Sequence, residues 1–203
     1  TYLMNGVCYA VSAGFSVQVA HHIGAGEGEQ ARNVERHGLL AAFVIAGLLC
    51  LTGILICGAL PVWLGGAETI RKDAAAYFLT FSLMLPFTQL NSLSSSFLQC
   101  SGDMLTPSIL NAVMCGLDVL FNALLIPRYG VLGAGMGTAL ACAAASLVMA
   151  WRCYFCNAQL RLNRSEKGKF RSVILKKAWK IGFPVALQEV AMSSAMVAAT
   201  RII

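Results

Sequence analysis

The 203-residue chain is 58% hydrophobic and only 12% charged, with a mean hydropathy of +0.70, whereas a water-soluble domain carries about a quarter charged residues. That balance argues against an ordinary soluble enzyme or binding domain and suits lipid as the solvent. The formal charge of +6 would suit nucleic acid, but the basic residues stand beside apolar runs, as membrane orientation signals do, so no nucleic-acid partner is expected.

A hydrocarbon core about 30 Å thick takes roughly 20 apolar residues per helix, and six runs of the sequence meet that length. The first, Thr1 to Ala20, is uncharged and leads into the connection His21 to Gly38. Leu39 to Ala67 is the second, and Gly66 to Asp73 connects it to the third, Ala74 to Gly102. Pro86 inside the third run removes a backbone hydrogen bond and predicts a kink that neighbouring groups must compensate. After the connection Gln99 to Thr106, the fourth run reaches from Leu105 to Pro127 with Asp118 as its single charge. Thr106 before Pro107 predicts a capping hydroxyl followed by proline at the first helical position. Pro127 to Gly130 is a short turn into the fifth run, Val131 to Trp151. The long basic stretch Asn157 to Lys180 precedes the last, Ile181 to Thr200, which has only Glu189 as a charge and Pro184 expected in its first turn. The fold class is therefore all-α, a polytopic membrane helical bundle. Because the chain opens and closes inside apolar runs with no initiator Met or cleavage signal, it is expected to be an internal fragment.

Lys and Arg on alternate sides of this arrangement divide ten to three, the ten lying in the first, third and fifth connections. The positive-inside rule then makes 21–38, 99–106 and 157–180 cytoplasmic. The eight cysteines sit mostly inside apolar runs rather than at framework spacings, so disulfides are not expected. Cys153 and Cys156 make one CxxC, which without a second pair reads as helix packing rather than zinc. Gly24 to Gly28 lacks the following Gly-Lys-Ser of a phosphate loop, and His21-His22 lacks metal-ligand spacing. No resident metal or cofactor is expected.

An ionisable residue in mid-span costs about 2.5–3.5 kcal/mol on insertion scales and marks a functional pathway by default. Asp118 is such a residue, and Asn111, Cys115, Asp118 and Asn122 fall on one helical stripe that must face protein or water. Asp118 and Asn122 stand one turn apart, so a carboxylate and an amide oxygen can point at one hard cation such as Na+, and protonation of Asp118 would empty that site. The bland alternative is a carboxylate hydrogen-bonded across helices. Thr88, Ser92, Ser95 and Gln99, with Gln89, Asn91 and Ser94 beside them, give the third run a polar face. It is read either as cavity lining or as small-residue packing. On the last run Gln188 and Glu189 are further candidates, although Glu189 lies near an end where snorkelling is cheap. Gly133, Gly135 and Gly137 leave the fifth run a flank that lets another backbone approach closely.

Taken in order, these residues suggest a family. Ile23-Gly24-Ala25-Gly26-Glu27 with Ala31-Arg32 resembles the loop after the second helix of multidrug and toxic compound extrusion transporters. Leu98-Gln99-Cys100-Ser101-Gly102-Asp103 through Thr106-Pro107, then Asn111, Asp118 and Asn122, then Gly130-Val131-Leu132-Gly133-Ala134 through Thr138, is similar to the family's fourth to sixth helices. Ile181-Gly182-Phe183-Pro184 resembles the start of its seventh. The resemblance implies six helices of a twelve-helix, two-lobe antiporter: 1–156 as the rest of the N-terminal lobe, 157–180 as the inter-lobe linker, and 181–203 as the first helix of the second lobe. It implies a monomer in the cell membrane, driven by Na+ or H+, that expels small cationic or amphipathic compounds by alternating access. Cation coupling would fall to Asp118, Asn122 and Thr138, here with Asp before Asn, the reverse of the commoner order. Substrate lining would fall to Gln89, Asn91, Ser95, Asn111, Gln188 and Glu189.

Two other readings compete. A lipid-linked oligosaccharide flippase of the same superfamily has a sixth-helix start that also resembles Ile126-Pro127-Arg128-Tyr129-Gly130. An intramembrane enzyme would need a nucleophile and base facing each other, and the sequence has one isolated carboxylate per helix instead.

Overall fold

In hydrocarbon each backbone N–H and C=O must find a partner in the protein, and the α-helix supplies all of them within one segment. The structure of the protein is a computed structural model that describes residues 2–58, 71–157, 160 and 172–202, and these are built of helices. In chain order they are α1 (Tyr2–Gly24), α2 (Gly28–Ile56), α3 (Arg71–Cys100), α4 (Leu105–Tyr129), α5 (Val131–Trp151) and α6 (Ser172–Ile202), with a π-turn (Arg152–Cys156) ending α5. By length and composition α2, α4, and α5 with its π-turn are apolar enough to cross a membrane, their apolar windows having mean hydropathies of 2.8, 2.0 and 1.8.

The spans follow the sequence reading, but the connections are shorter than expected: Gln99–Thr106 contracts to Ser101–Met104, and α4 runs through Pro127 to Tyr129, leaving Gly130 alone before α5. The turn after α1 is confined to Ala25–Glu27, and α2 starts at Gly28, eleven residues before the apolar run begins at Leu39. At 1.5 Å per residue a 29-residue helix is about 43 Å long, so its charged beginning projects past a core of about 30 Å. Charge had hidden the helix, whose buried positions Ala31, Val34, Glu35, Gly38, Ala42 and Ala46 keep a helical period straight through it. Likewise α6 starts at Ser172, so Pro184 lies well inside the helix and not in its first turn. The predicted linker is helical from Ser172 onward, and its segment 161–171 lies outside the described residues, as do 59–70.

A third correction concerns the start of α4. The helix begins at Leu105, and Pro107 is its third residue, fully buried. The cap comes from Asp103, whose carboxylate accepts the Thr106 backbone N–H at 3.1 Å and the Thr106 hydroxyl at 2.7 Å. These hydrogen bonds hold the Asp103 carboxyl below the usual carboxylate range. Thr106 is thus a partner of the cap rather than the cap itself.

α1 lies against α2, α3 and α6, while α3 lies against α1, α2 and α5; α4 is carried on the outer side of α5. Small residues set these approaches. On α1, Gly14 lies against the Ala178 carbonyl of α6, and a Cβ on Gly182 of α6 would come to 2.9 Å from the Ala10 carbonyl oxygen. Gln18 adds its amide, donating to the carbonyls of Gly14 at 3.0 Å and Ile174 at 3.3 Å. On α5, Gly133 and Gly137 lie against Leu125 and Asn122 of α4, and Gly135 against Thr80 of α3. The main apolar cluster gathers at the end where α1, α3 and α5 finish and α2 begins: Phe15, Val19, Val34, Ala42, Leu93, Phe97, Leu98, Met149, Cys153 and Tyr154. Gly38 makes room in it for Phe15 and Phe97.

Candidate functional site

The polar stripe of α4 is divided: Asn122 stands at the α4–α5 contact and Asn111 meets α3, while Cys115 between them is exposed. Asn122, one turn beyond Asp118, donates its amide to the Asp118 carboxylate at 3.1 Å. The other end of the same amide, Asn122 Oδ1, is buried with no hydrogen-bond partner. It lies over Gly137, where any side chain would collide with it. A buried oxygen without a partner costs free energy, so this pair presents an acceptor whose bond is unmade. Thr138, the next residue on α5, donates its hydroxyl to the Ala134 carbonyl at 3.1 Å, on its own helix. The structure thus brings Asp118, Asn122 and the backbone beside Thr138 to one contact, with the Thr138 hydroxyl engaged elsewhere.

Asn111, two turns before Asp118 on α4, accepts from Asn91 of α3 at 3.5 Å, and Asn91 Oδ1 is likewise buried and unpartnered. Gln89 is placed differently: it is 1% exposed, sits between α1 and α3, and donates to the Ser12 hydroxyl at 3.2 Å. Ser95 is buried and accepts from Gln99 at 3.2 Å. Gln99 itself lines a cavity of about 300 Å³ between α1 and α3, with Tyr9, Ser16, Ser96 and Cys100. Gln188 is exposed on α6, and Glu189 is half-buried against Gly6 of α1. The predicted site residues therefore do not form one site: Asp118 pairs with Asn122, Asn91 with Asn111, Gln89 and Ser95 are buried on α3 with Ser12 and Gln99 as partners, Glu189 stands at the α1–α6 contact, and Gln188 is exposed. Among the described residues no cluster of three His, Cys, Asp or Glu side chains is assembled.

One buried carboxyl had been absent from the sequence reading. Glu35 of α2 is fully buried, and its Oε1 accepts from Cys153 Sγ at 3.6 Å, while its Oε2 has no partner. The signal that could have found it is the helical period of Ala31, Val34, Gly38 and Ala42, which places Glu35 on the inward face. Cys153 is buried and Cys156 exposed, so the two halves of the CxxC do not share an environment.

Comparison with known proteins adds the following. The MatE family profile matches residues 1–124. A probable multidrug resistance protein NorM of Pseudomonas syringae pv. tomato is 27% identical over 188 residues, which is 88% of this chain and 40% of that protein. An FAD transporter of Shewanella oneidensis is 24% identical over 144 residues, 68% of this chain and 32% of that protein. The chain thus spans less than half the length of either relative. Among solved structures, the outward-facing conformation of a multidrug resistance MATE family transporter of the MOP superfamily superposes with a TM-score of 0.90 at 22% identity, over 97% of this chain and 44% of that one. The inward-facing conformation of such a transporter gives 0.88, over 96% and 45%, also at 22% identity. These two likenesses establish the fold, a multi-pass helical membrane bundle.

Proposed function

This chain belongs to the MatE family, and from that premise we propose that the full-length protein is a secondary active antiporter. It expels small cationic or amphipathic compounds across the cell membrane by alternating access, in exchange for Na+ or H+. In this reading residues 1–156 belong to the first lobe, 157–180 join the lobes, and 181–203 open the second; 21–38, 99–106 and 157–180 are cytoplasmic, and the protein works as a monomer.

The observation that carries the reading is the Asp118–Asn122 pair with its unpartnered amide oxygen. A hard cation takes oxygen ligands, and one bound between the Asp118 carboxylate and Asn122 Oδ1 would satisfy the orphan acceptor and offset the cost of a charge in the bundle. Thr138, beside Gly137 on α5, is the third residue this reading assigns to the cation. For a proton, Asp118 alone suffices: neutralised, it keeps the hydrogen bond from Asn122 and loses its charge. Either occupant changes what the α4–α5 contact can tolerate and so biases two arrangements of the lobe. Asn91 and Asn111 extend the polar seam toward α3, and the α1–α3 cavity beside Gln99 is the compartment in which cargo would be held.

The test uses the full-length protein in cells lacking their own exporters, following ethidium efflux while sodium and proton gradients are imposed separately. Efflux driven by one gradient, and abolished by Asp118→Asn at equal membrane abundance, is expected. Efflux undiminished in the variant would remove Asp118 from the mechanism, and efflux under neither gradient would overturn the drug-exporter reading. A second reading is favoured by the likeness to the FAD transporter: an anionic nucleotide cargo, distinguished by flavin export in place of ethidium efflux.

A further inference from the structure

Glu35 lies one turn before the apolar run of α2, outside its membrane-spanning segment, yet none of its surface reaches solvent. Its surroundings suit a neutral acid better than a carboxylate. An ionised carboxylate has about four acceptor sites, and here it meets one thiol, a weak donor, while Oε2 is left unpartnered. Burial pushes the carboxyl up to about 8, against the smaller opposing pulls of Cys153, Arg32 and Arg36. Arg32 and Arg36 on its own helix, and Cys153 and Tyr154 on the end of α5, are the titratable and charged groups acting on it among the described residues.

The partner surface has its own irregularity. α5 does not end in a regular turn but in the π-turn Arg152–Cys156, a wider turn of the kind that recurs at functional sites. It puts two consecutive residues, Cys153 and Tyr154, in the core, and Tyr154 meets the Ser94 hydroxyl of α3 at 3.4 Å. Just beyond it, Asn157 donates to the Ser101 hydroxyl at 2.7 Å and accepts the Leu160 backbone N–H at 3.4 Å, with Leu160 fully buried. Among the described residues, the chain leaving α5 is thus fastened to the lobe at Asn157 and Leu160.

We propose that Glu35 is a proton-binding site that latches the end of α5 to α2: protonated, it stays in the core against Cys153, and deprotonated, it leaves for water and the π-turn parts from α2. The site is separate from Asp118 and does not rest on which ion drives transport. Its sign follows from linkage. Below the ordinary carboxyl range both latched and released forms are protonated and pH has no effect. Between that range and pH about 8 the released form alone gives up its proton, so each pH unit favours release about tenfold. Above that, both forms are ionised and the dependence ends.

The experiment uses the full-length protein in nanodiscs, with two readouts over pH 5 to 9: the carboxylic-acid C=O stretch in infrared spectra, and hydrogen exchange of the segment 149–157 corrected for intrinsic rates. A band lost near pH 8, absent in Glu35→Gln, is expected. Protection of 149–157 should fall about tenfold per pH unit from 6 to 8 in the wild type and stay flat in Glu35→Gln. Should that variant fail to fold, Cys153→Ala serves: losing the thiol bond, which lowers the Glu35 titration, moves the band loss to higher pH. A band lost at pH 4–5, or protection of 149–157 independent of pH in the wild type, would overturn the proposal.

Discussion

Gly137→Ala is the smallest change that should separate the proposed cation site from the rest of the bundle. The added methyl would run into Asn122 Oδ1 and come within 3.1 Å of the Asn122 backbone nitrogen on α4. Overpacking of this kind costs about 1–3 kcal/mol. The amide can escape by turning away, which breaks its hydrogen bond to Asp118, an interaction with a charged group worth about 1.5–3 kcal/mol. Taking the lower part of these ranges, about 1–2 kcal/mol, cation affinity should fall roughly 5- to 30-fold. The matched control is Gly133→Ala, whose methyl would collide with the Leu125 carbonyl of α4 one turn away, its nearest neighbours being Leu125 and Ile126 in place of Asn122. The assay is the cation dependence of ethidium efflux by the full-length protein, normalised to folded protein in the membrane. The reasoning predicts a rightward shift for Gly137→Ala and an unchanged midpoint for Gly133→Ala. Equal shifts in both, or none in either, would refute it.

Other perturbations follow from the same contacts. Gly14→Leu should lower the thermal stability of the full-length protein by about 1–3 kcal/mol or abolish its accumulation, because the side chain would meet the Ala178 backbone carbonyl. Asp103→Ala should cost about 0.5–2 kcal/mol of stability by removing the cap of α4. The folded-state pKa of Asp103 is lowered, so its contribution is complete above the ordinary carboxyl range and fades as pH falls through the folded value. A wild-type minus Asp103→Ala difference in melting temperature that vanishes in acid checks this, and a difference that grows in acid would contradict it. Gln89→Met should leave efflux within about twofold of wild type, since Gln89 is closed between α1 and α3 and its Ser12 partner retains a bond to the Cys8 carbonyl at 3.1 Å. A large loss of efflux with normal abundance would return Gln89 to the substrate path.

Where the sequence was legible, one physical signal dominated. Val131 to Trp151 matches α5 to the residue because Gly130 and the polar end bound it on both sides. Boundaries failed where charge and helix coincide. Arg32, Glu35 and Arg36, and then Lys176, Lys177 and Lys180, read as connections, yet both stretches are helix because membrane helices extend past the hydrocarbon. The same failure hid Glu35, a buried carboxyl lost in a charged segment. Of the site, the Asp118–Asn122 spacing was readable because one helical turn fixes it. Which acceptor lacks a partner was not, since that depends on Gly137 across the α4–α5 contact. Nor could spacing on α3 tell Gln89, enclosed against Ser12, from Gln99, which lines a cavity; that division is made by α1.

The central claim is that Asp118 and Asn122 form the site of the coupling cation. Its most direct test is calorimetry on purified full-length protein: a sodium titration at pH 7.5, and a measurement of proton uptake in the absence of sodium. The account predicts one saturable signal of about one cation per chain that Asp118→Asn eliminates and Asn122→Ala weakens, in variants that remain folded. Cation binding of wild-type strength in Asp118→Asn would contradict it.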